Sequence, residues 1–319
     1  MPNEFPPRLK DKFYLTEGGS ETEILYKWGY ELPEFAMFPL LDDEEASKCI
    51  RSMFQRYFDV AEAFDTGLLV MAHDYRASPD WAAKLGYSLE DLAQYQQRTI
   101  AFLTGLRAEY QDRVSDVYVA GCIGPRGDAY GTGGNISAAE AEDYHSVQLS
   151  TLKKTDADMA IATTFNNVPE TVGVIRAAQN IGVPIGVSLT LTPEARLRSG
   201  PTLKEAVEAI DEQTDGAAAW MGTNCAHPLE FEPALSEAGA WTQRLRYIRP
   251  NASKMEKMAL CKLGYLEDGD PVELGCQMGD VARRFPHADI VGGCCGTDER
   301  HLGEIAKNMN QVLAQKALA

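Results

Sequence analysis

Two short apolar runs, VYVAGCI at Val117–Ile123 and MAIATTF at Met159–Phe165, frame the segment that decides how this chain folds. Between them, Ser137 is followed three residues later by Glu140, a capping box that marks the start of a helix. A strand, a helix and a second strand in this order predict a βαβ unit with parallel strands.

The same alternation recurs along the chain. Helix starts are also predicted at Thr202-x-x-Glu205, another capping box, and after Ser88. Eight strands that alternate with helices over about 250–300 residues predict an α/β fold, a (β/α)8 TIM barrel forming a single domain over residues 1–319 with its core at about 13–315. A doubly wound sheet is the alternative, but no Gly-x-Gly-x-x-Gly motif follows the first strand. The strands are predicted at residues 13–17, 67–73, 117–123, 159–165, 184–191, 217–225, 246–250 and 288–293.

The composition bounds the class of function. The chain has 319 residues, 45% of them hydrophobic, which is typical of a globular protein. A net charge of -17 argues against nucleic acid as a partner, because an acidic surface repels phosphates. No run reaches the roughly 20 apolar residues of a membrane helix. Seven cysteines at irregular spacing favour reduced thiols and a cytoplasmic location.

Three cysteines fall where a barrel places its chemistry, at the C-terminal ends of strands. Cys225 ends the sixth predicted strand, and Cys294 and Cys295 end the eighth. Neighbouring side chains on a strand point to opposite faces, so the pair can share an ion only where the backbone turns, which the flanking glycines permit. Three thiolates and an open fourth position are typical of a catalytic zinc site. His227, two residues after Cys225, is expected to begin the next helix and not to bind metal.

The pieces Gly222-Thr-Asn-Cys-Ala-His-Pro and Gly292-Gly-Cys-Cys-Gly-Thr resemble the two zinc signatures of the homocysteine S-methyltransferase family. The similarity runs from Glu17-Gly-Gly to about Leu302. It implies a (β/α)8 barrel that holds Zn²⁺ through three cysteines, which are then both metal ligands and catalytic residues: Cys225, Cys294 and Cys295. It also implies transfer of a methyl group from a small sulfonium or quaternary ammonium donor to a zinc-bound thiol, with homocysteine giving methionine as the first expectation.

The chain departs from the family pattern at the acceptor end. Relatives usually carry Asp where this chain has Glu17, and Glu where it has Thr163; both acids face the amino group of homocysteine in that family. Asp74 is a candidate to replace part of the missing charge. Tyr75 stands where relatives place a donor-contacting Tyr, and Phe35 lies near a position where they carry Trp, so the resemblance implies that these two faces supply cation–π contacts to the cationic donor. The predicted substrate contacts are Glu17, Gly18, Phe35, Tyr75, Thr163 and Asn224.

Two alternatives to homocysteine methylation stay open from the sequence. The same chemistry can act on a different thiol or selenol acceptor, or the barrel can be a non-catalytic protein that binds zinc or thiols. The expected partners are a small-molecule thiol and a cationic methyl donor, with no nucleic acid and no membrane. A homo-oligomer is left open, with residues 253–279, predicted to contain a long loop after the seventh strand, as a candidate interface.

Overall fold

A computed structural model describes residues 4–131, 136–236, 239–255, 257–260 and 262–317. Eight parallel strands follow one another around a closed barrel, and pairing of the first strand with the eighth completes the ring. The predicted (β/α)8 barrel is therefore confirmed. The strands are β1 Tyr14–Leu15, β2 Gly67–Met71, β3 Val117–Ile123, β4 Met159–Phe165, β5 Ile185–Leu189, β6 Trp220–Asn224, β7 Leu245–Arg249 and β8 Ile290–Val291.

The described residues form eleven α-helices, and most of them surround the barrel. Short 3-10 helices occur at Pro33–Phe35, Phe38–Asp42 and Ala240–Arg244. The α-helices are α1 Ser20–Tyr26, α2 Glu44–Ala63, α3 Pro79–Lys84, α4 Leu89–Tyr110, α5 Ala138–Leu152, α6 Val168–Ile181, α7 Leu203–Thr214, α8 Pro228–Leu235, α9 Lys257–Leu260, α10 Pro271–Arg284 and α11 Glu299–Ala317.

Local sequence signals account for the helix starts. Ser88, Ser137 and Thr202 each cap a helix with the side-chain oxygen, and the acid three residues later bonds back to the backbone of the cap. On α2 the apolar face is fully buried at Ile50 and Phe54, because residues three and four apart lie on one side of a helix.

The predicted strand bounds agree best in the middle of the chain. β3 and β4 match to the residue, whereas β8 covers only Ile290–Val291 because the backbone turns away from the ladder immediately afterwards. Residues 253–279 were predicted to contain a long loop, and up to Asp270 their described part is irregular apart from the short helix α9, whereas α10 occupies the rest of the segment. Asp270 caps α10 by accepting from the amides of Val272 and Glu273, so the helix begins at Pro271. Residues 256 and 261 of this segment lie outside the described part of the chain.

Alternate residues of the strands divide between two apolar cores. In β2, Leu69 and Met71 belong to the barrel interior, whereas Leu68 and Val70 pack under the helices. The N-terminal segment closes the bottom of the barrel, where the Trp220 indole donates to the Phe5 carbonyl at 3.0 Å. The open end of the barrel is therefore the end at which the strands finish.

Among the residues that the structure describes, no helix combines the length and the apolar character needed to cross a lipid bilayer.

Candidate metal centre and its cavity

Three thiols converge at the C-terminal end of the barrel. The sulfur atoms of Cys225, Cys294 and Cys295 all lie within 4.8 Å of one another, and those of Cys225 and Cys295 are 3.5 Å apart. In a tetrahedral zinc site with Zn–S bonds of about 2.3 Å, two sulfur ligands lie about 3.8 Å apart. The donor set and its spacing therefore fit a zinc ion.

Backbone geometry brings these sulfurs to one point. Cys225 has a φ of +56°, a left-handed conformation that costs a non-glycine residue free energy, and its amide donates to the Arg249 carbonyl at 3.0 Å. After β8 the chain turns, and the amide of Cys294 donates to the Pro250 carbonyl at 2.8 Å. Gly296 completes the turn with a φ of +83°. The turn predicted from the glycine-flanked pair is present, and it places both neighbouring sulfurs on one side.

Contact between the thiols opposes their ionisation. The hydrogen bond with Cys225 raises the pKa of Cys294 to about 11, and it raises the pKa of Cys295 well above the ordinary thiol range. Adjacent thiolates repel one another, whereas a divalent cation stabilises the ionised form. A cation is thus the natural complement of this cluster.

Asn224 connects the cluster to two neighbouring strands. Its Oδ1 accepts from the Thr164 amide at 3.0 Å and from the Ser188 hydroxyl at 2.7 Å, and its Nδ2 lies 3.7 Å from the Cys294 sulfur. Thr164 has a φ of +64°, and the register between β4 and β5 shifts next to it. The amide of Asn224 therefore connects the ends of β4, β5 and β6 to one thiol of the cluster.

A buried ion pair joins the first, seventh and eighth strands. The Arg249 guanidinium contacts the Glu17 carboxylate at 2.8 Å and donates to the Gly293 carbonyl at 2.7 Å, one residue before Cys294. The second Glu17 oxygen accepts from the Met71 amide at 2.9 Å. Burial raises the pKa of Glu17, and Arg249 counteracts that shift. Both oxygens of Glu17 are thus engaged within the protein.

A cavity of about 330 Å³ opens above the three sulfur atoms. Its wall includes Leu260, Tyr265 and Glu267 from the segment after β7 and Tyr26 from α1. All six predicted substrate contacts line it: Glu17, Gly18, Phe35, Tyr75, Thr163 and Asn224.

Two glycines at the start of the first loop are required by packing. A Cβ on Gly18 would lie 2.7 Å from the Thr297 carbonyl oxygen, and one on Gly19 would lie 2.5 Å from that of Cys294. The loop after β1 can therefore approach the turn that carries Cys294 and Cys295 only because these residues lack side chains.

Two cavity residues escape sequence reasoning. The Tyr130 hydroxyl donates to the Cys225 sulfur at 2.7 Å, and Glu21 in the first turn of α1 lines the same cavity. Glu21 accepts from the Ser20 hydroxyl, but no Lys or Arg among the described residues forms an ion pair with it. Its position directly after Glu17-Gly-Gly-Ser was the one signal that could have indicated it.

Two residues that the sequence singled out lie elsewhere. Asp74, the candidate to replace part of the missing charge, is completely buried and does not belong to the described wall of the cavity. His227 caps α8, as predicted, and its Nδ1 accepts from the Leu229 amide at 3.3 Å. Within the described residues, the side chains that could hold a metal ion together are therefore the three cysteines.

Comparison with known proteins agrees with this architecture. The Homocysteine S-methyltransferase family model matches residues 14–309. Betaine–homocysteine S-methyltransferase 1 of Mus musculus is 25% identical over 192 residues, covering 54% of this chain and 45% of the mouse protein, and the Bos taurus protein gives the same values. This chain thus matches less than half of the length of these relatives.

Solved structures show the same fold. The homocysteine methyltransferase MmuM of Escherichia coli, in its metallated form, is 18% identical with a TM-score of 0.73, covering 93% of this chain and 96% of that chain. Its oxidized form has a TM-score of 0.72 over 97% of both chains. The match of the family model over nearly the whole barrel shows that this chain belongs to the homocysteine S-methyltransferase family.

Proposed function

We propose that this protein is a zinc-dependent S-methyltransferase that moves a methyl group from a small sulfonium or quaternary ammonium donor to a zinc-bound thiol, with homocysteine as the acceptor and methionine as the product. The observation that carries the proposal is the convergence of three sulfur atoms within 4.8 Å at the base of a cavity. Cys225, Cys294 and Cys295 would hold the ion. When bound, zinc lowers the pKa of a thiol so that the sulfur is nucleophilic at neutral pH.

The reaction balances without an acid or base from the protein. The acceptor loses its thiol proton to solvent, and its sulfur forms a new bond to the methyl carbon. The bond from that carbon to the donor's positive sulfur or nitrogen breaks, and the electron pair stays on the leaving group, which departs neutral. The task of the chain is therefore to align three atoms and to exclude water.

Glu21 supports an amino-acid acceptor despite the threonine at position 163. Its carboxylate faces the cavity with no cation of the described residues paired to it, and burial raises its pKa. An ammonium beside it would favour the ionised form. The Thr163 hydroxyl oxygen is buried without a hydrogen-bond partner in the described structure, which offers a second polar contact. These groups replace the anionic partner that the family places on strand four.

Variants of the cysteines test the proposal. Replacing Cys294 with Ala should abolish both stoichiometric zinc and the formation of methionine from homocysteine with a panel of onium donors. Cys276→Ala is the matched control, since this exposed thiol on α10 is not part of the cluster. Zinc-free protein that still transfers methyl groups would refute the mechanism. Zinc binding by the unmodified protein without transfer from any donor would instead indicate the non-catalytic barrel.

The acceptor is tested separately with Glu21→Gln. The variant should raise KM for homocysteine about tenfold or more, because it removes a charge-assisted hydrogen bond. It should leave KM for 4-mercaptobutyrate, which lacks the amino group, unchanged. Equal effects on both thiols would show that the acceptor's ammonium does not contact Glu21.

A further inference from the structure

The three sulfurs that would hold the metal are nucleophiles of the same kind as the acceptor thiolate. If Cys225 reacted in place of the acceptor, its sulfur would form a bond to the methyl carbon. The bond from that carbon to the donor's positive atom would break, and the electron pair would leave with the neutral product. The thioether left on the protein carries no charge and is a weaker zinc ligand than a thiolate. The site therefore needs a means of making its own sulfurs less reactive than the acceptor's.

Two of the three sulfur atoms have a hydrogen-bond donor from outside the cluster. The Tyr130 hydroxyl donates to the Cys225 sulfur at 2.7 Å, and the Asn224 amide nitrogen lies 3.7 Å from the Cys294 sulfur. The described contacts of the Cys295 sulfur are with the other two thiols. A hydrogen bond to an anion stabilises its charge, so the sulfur becomes a weaker base and a weaker nucleophile. The shorter contact makes Tyr130 the stronger of the two donors.

The loop after β3 is held so that Tyr130 reaches the cluster. The Arg126 amide donates to the Glu170 carboxylate on α6 at 2.6 Å, and the Asn166 side chain, directly after β4, donates to the Ala129 carbonyl at 2.7 Å. Glu170 is itself 3% exposed, so its position is set by the packing of the barrel. Two rigid elements thus fix the backbone that leads to Tyr130, which is how a functional side chain on a loop is kept in place.

The charge of the cluster explains why a neutral donor is useful there. A divalent ion with three protein thiolates and an acceptor thiolate has an excess of negative charge, which makes every sulfur around it more nucleophilic. A hydrogen bond to Cys225 lowers the reactivity of that protein sulfur and leaves the acceptor's sulfur as it is. The ring of Tyr130 would fill the cavity wall without its hydroxyl, so the hydroxyl is the part that acts on the cluster.

We propose that Tyr130 lowers the nucleophilicity of the Cys225 sulfur, so that the methyl group is transferred to the bound acceptor and not to the protein. This inference rests on the function proposed above for the identity of the reaction. It assigns Tyr130 as a positioning residue that acts through Cys225, and it gives the loop after β3 a role in protecting the metal site from its own chemistry.

Methylation of the zinc-loaded protein by methyl methanesulfonate, with no acceptor present, tests the inference. This reagent is uncharged, and peptide mass spectrometry gives the rate of methylation at each cysteine. Tyr130→Phe should keep stoichiometric zinc and methylate Cys225 about tenfold faster, because a hydrogen bond to a charged sulfur is lost. The rate at Cys294 should stay the same. Tyr118→Phe is the matched control, since this tyrosine of β3 packs against Phe5 at the other end of the barrel.

Tyr130→Phe should also have a spectroscopic signature that a loss of packing would not produce. In cobalt-loaded protein, the sulfur-to-metal charge-transfer absorption should move to longer wavelength, because the lone pairs of the Cys225 sulfur are no longer stabilised by a proton donor. Asn166→Ala, which releases the loop at Ala129, should raise the rate at Cys225 as well. It becomes the deciding variant if Tyr130→Phe fails to fold.

Several outcomes would overturn the inference. They are a Tyr130→Phe variant that methylates Cys225 no faster than the unmodified protein, an equal rise at Cys294, an unchanged charge-transfer absorption, and a loss of stoichiometric zinc. If Cys225 reacts faster in the variant but the unmodified protein methylates no thiol substrate, the role of Tyr130 stands and the proposed function fails. Methionine formation with an unchanged rate at Cys225 has the opposite meaning, so the two failures are distinguishable.

Discussion

Replacing Arg249 with Met should separate the stability of the barrel from its capacity for zinc. The side chain is buried, forms an ion pair with Glu17 at 2.8 Å, and donates to the carbonyls of Glu17, Gly18 and Gly293 at 2.7–3.1 Å. Removing one partner of a buried pair typically costs about 3–5 kcal/mol, because the other charge is left uncompensated. We expect that loss in the free energy of unfolding, measured with urea on zinc-free protein.

The same replacement should weaken zinc binding by about 10- to 100-fold, since Arg249 holds the loops that position Cys294. Arg246→Met is the matched control on the same strand. Arg246 is equally buried and contacts Asp289 at 2.7 Å, but it lies at the opposite end of the barrel. It should lose similar stability, with Kd for zinc unchanged in a competition assay with a chelator.

The free energy of unfolding of the Arg249→Met variant at acidic pH provides a further test. Burial raises the pKa of Glu17, and Arg249 is the strongest of the groups that counteract this rise. A carboxyl whose pKa is higher in the folded state binds its proton more readily there, so the variant should regain stability as the pH falls from 7 toward about 4.3. Adding Glu17→Gln should restore stability but not zinc affinity. Equal zinc affinity in the Arg249 and Arg246 variants would refute this account of the metal loop.

Three further predictions follow from single contacts. Gly19→Ala should weaken zinc binding at least tenfold because its Cβ would lie 2.5 Å from the Cys294 carbonyl oxygen, whereas Gly105→Ala, with open space on α4, should gain about 0.5–1 kcal/mol in urea unfolding. His73→Phe should stabilise the protein by about 1 kcal/mol at pH 7, since both ring nitrogens are buried and unpartnered in the described structure. The gain should be larger at pH 5, because burial lowers the pKa of this histidine to about 3 and the folded state resists a proton that the unfolded state binds below about pH 6.5. Asp298→Asn should make the loss of stability below about pH 4 less steep. Although burial opposes ionisation, hydrogen bonds from His301 and from two cations hold the pKa of Asp298 well below its usual range. Thermal unfolding measured between pH 3 and 7 tests this prediction.

Much of the barrel could be predicted because its physics is local. Strands that are buried on both faces are nearly continuous apolar runs, which is why Val117–Ile123 and Met159–Phe165 were identified to the residue. Helix caps are equally local, since Ser137 and Glu140 satisfy one another within a single turn. Strands of two residues, such as Ile290–Val291, leave little pattern, so their bounds were overestimated.

The thiol cluster could also be predicted from the sequence, because the ends of barrel strands meet at one place whatever their separation along the chain. Two further polar residues of the cavity could not be predicted. Glu21 comes from the first turn of a helix and Tyr130 from a loop, and the direction of a long side chain there depends on tertiary contacts that no periodicity records. Arg249 had a signal, since it alternates with Tyr247 on the inward face of β7, where a buried cation requires a buried acid.

X-ray absorption at the zinc edge of the purified protein tests the central claim most directly. The sulfur atoms of Cys225, Cys294 and Cys295 lie close enough together to bind one ion. We predict three sulfur neighbours at about 2.3 Å in the protein alone and four when homocysteine is added. A zinc ion with fewer than three sulfur neighbours, or a sulfur count that homocysteine leaves unchanged, would contradict the account.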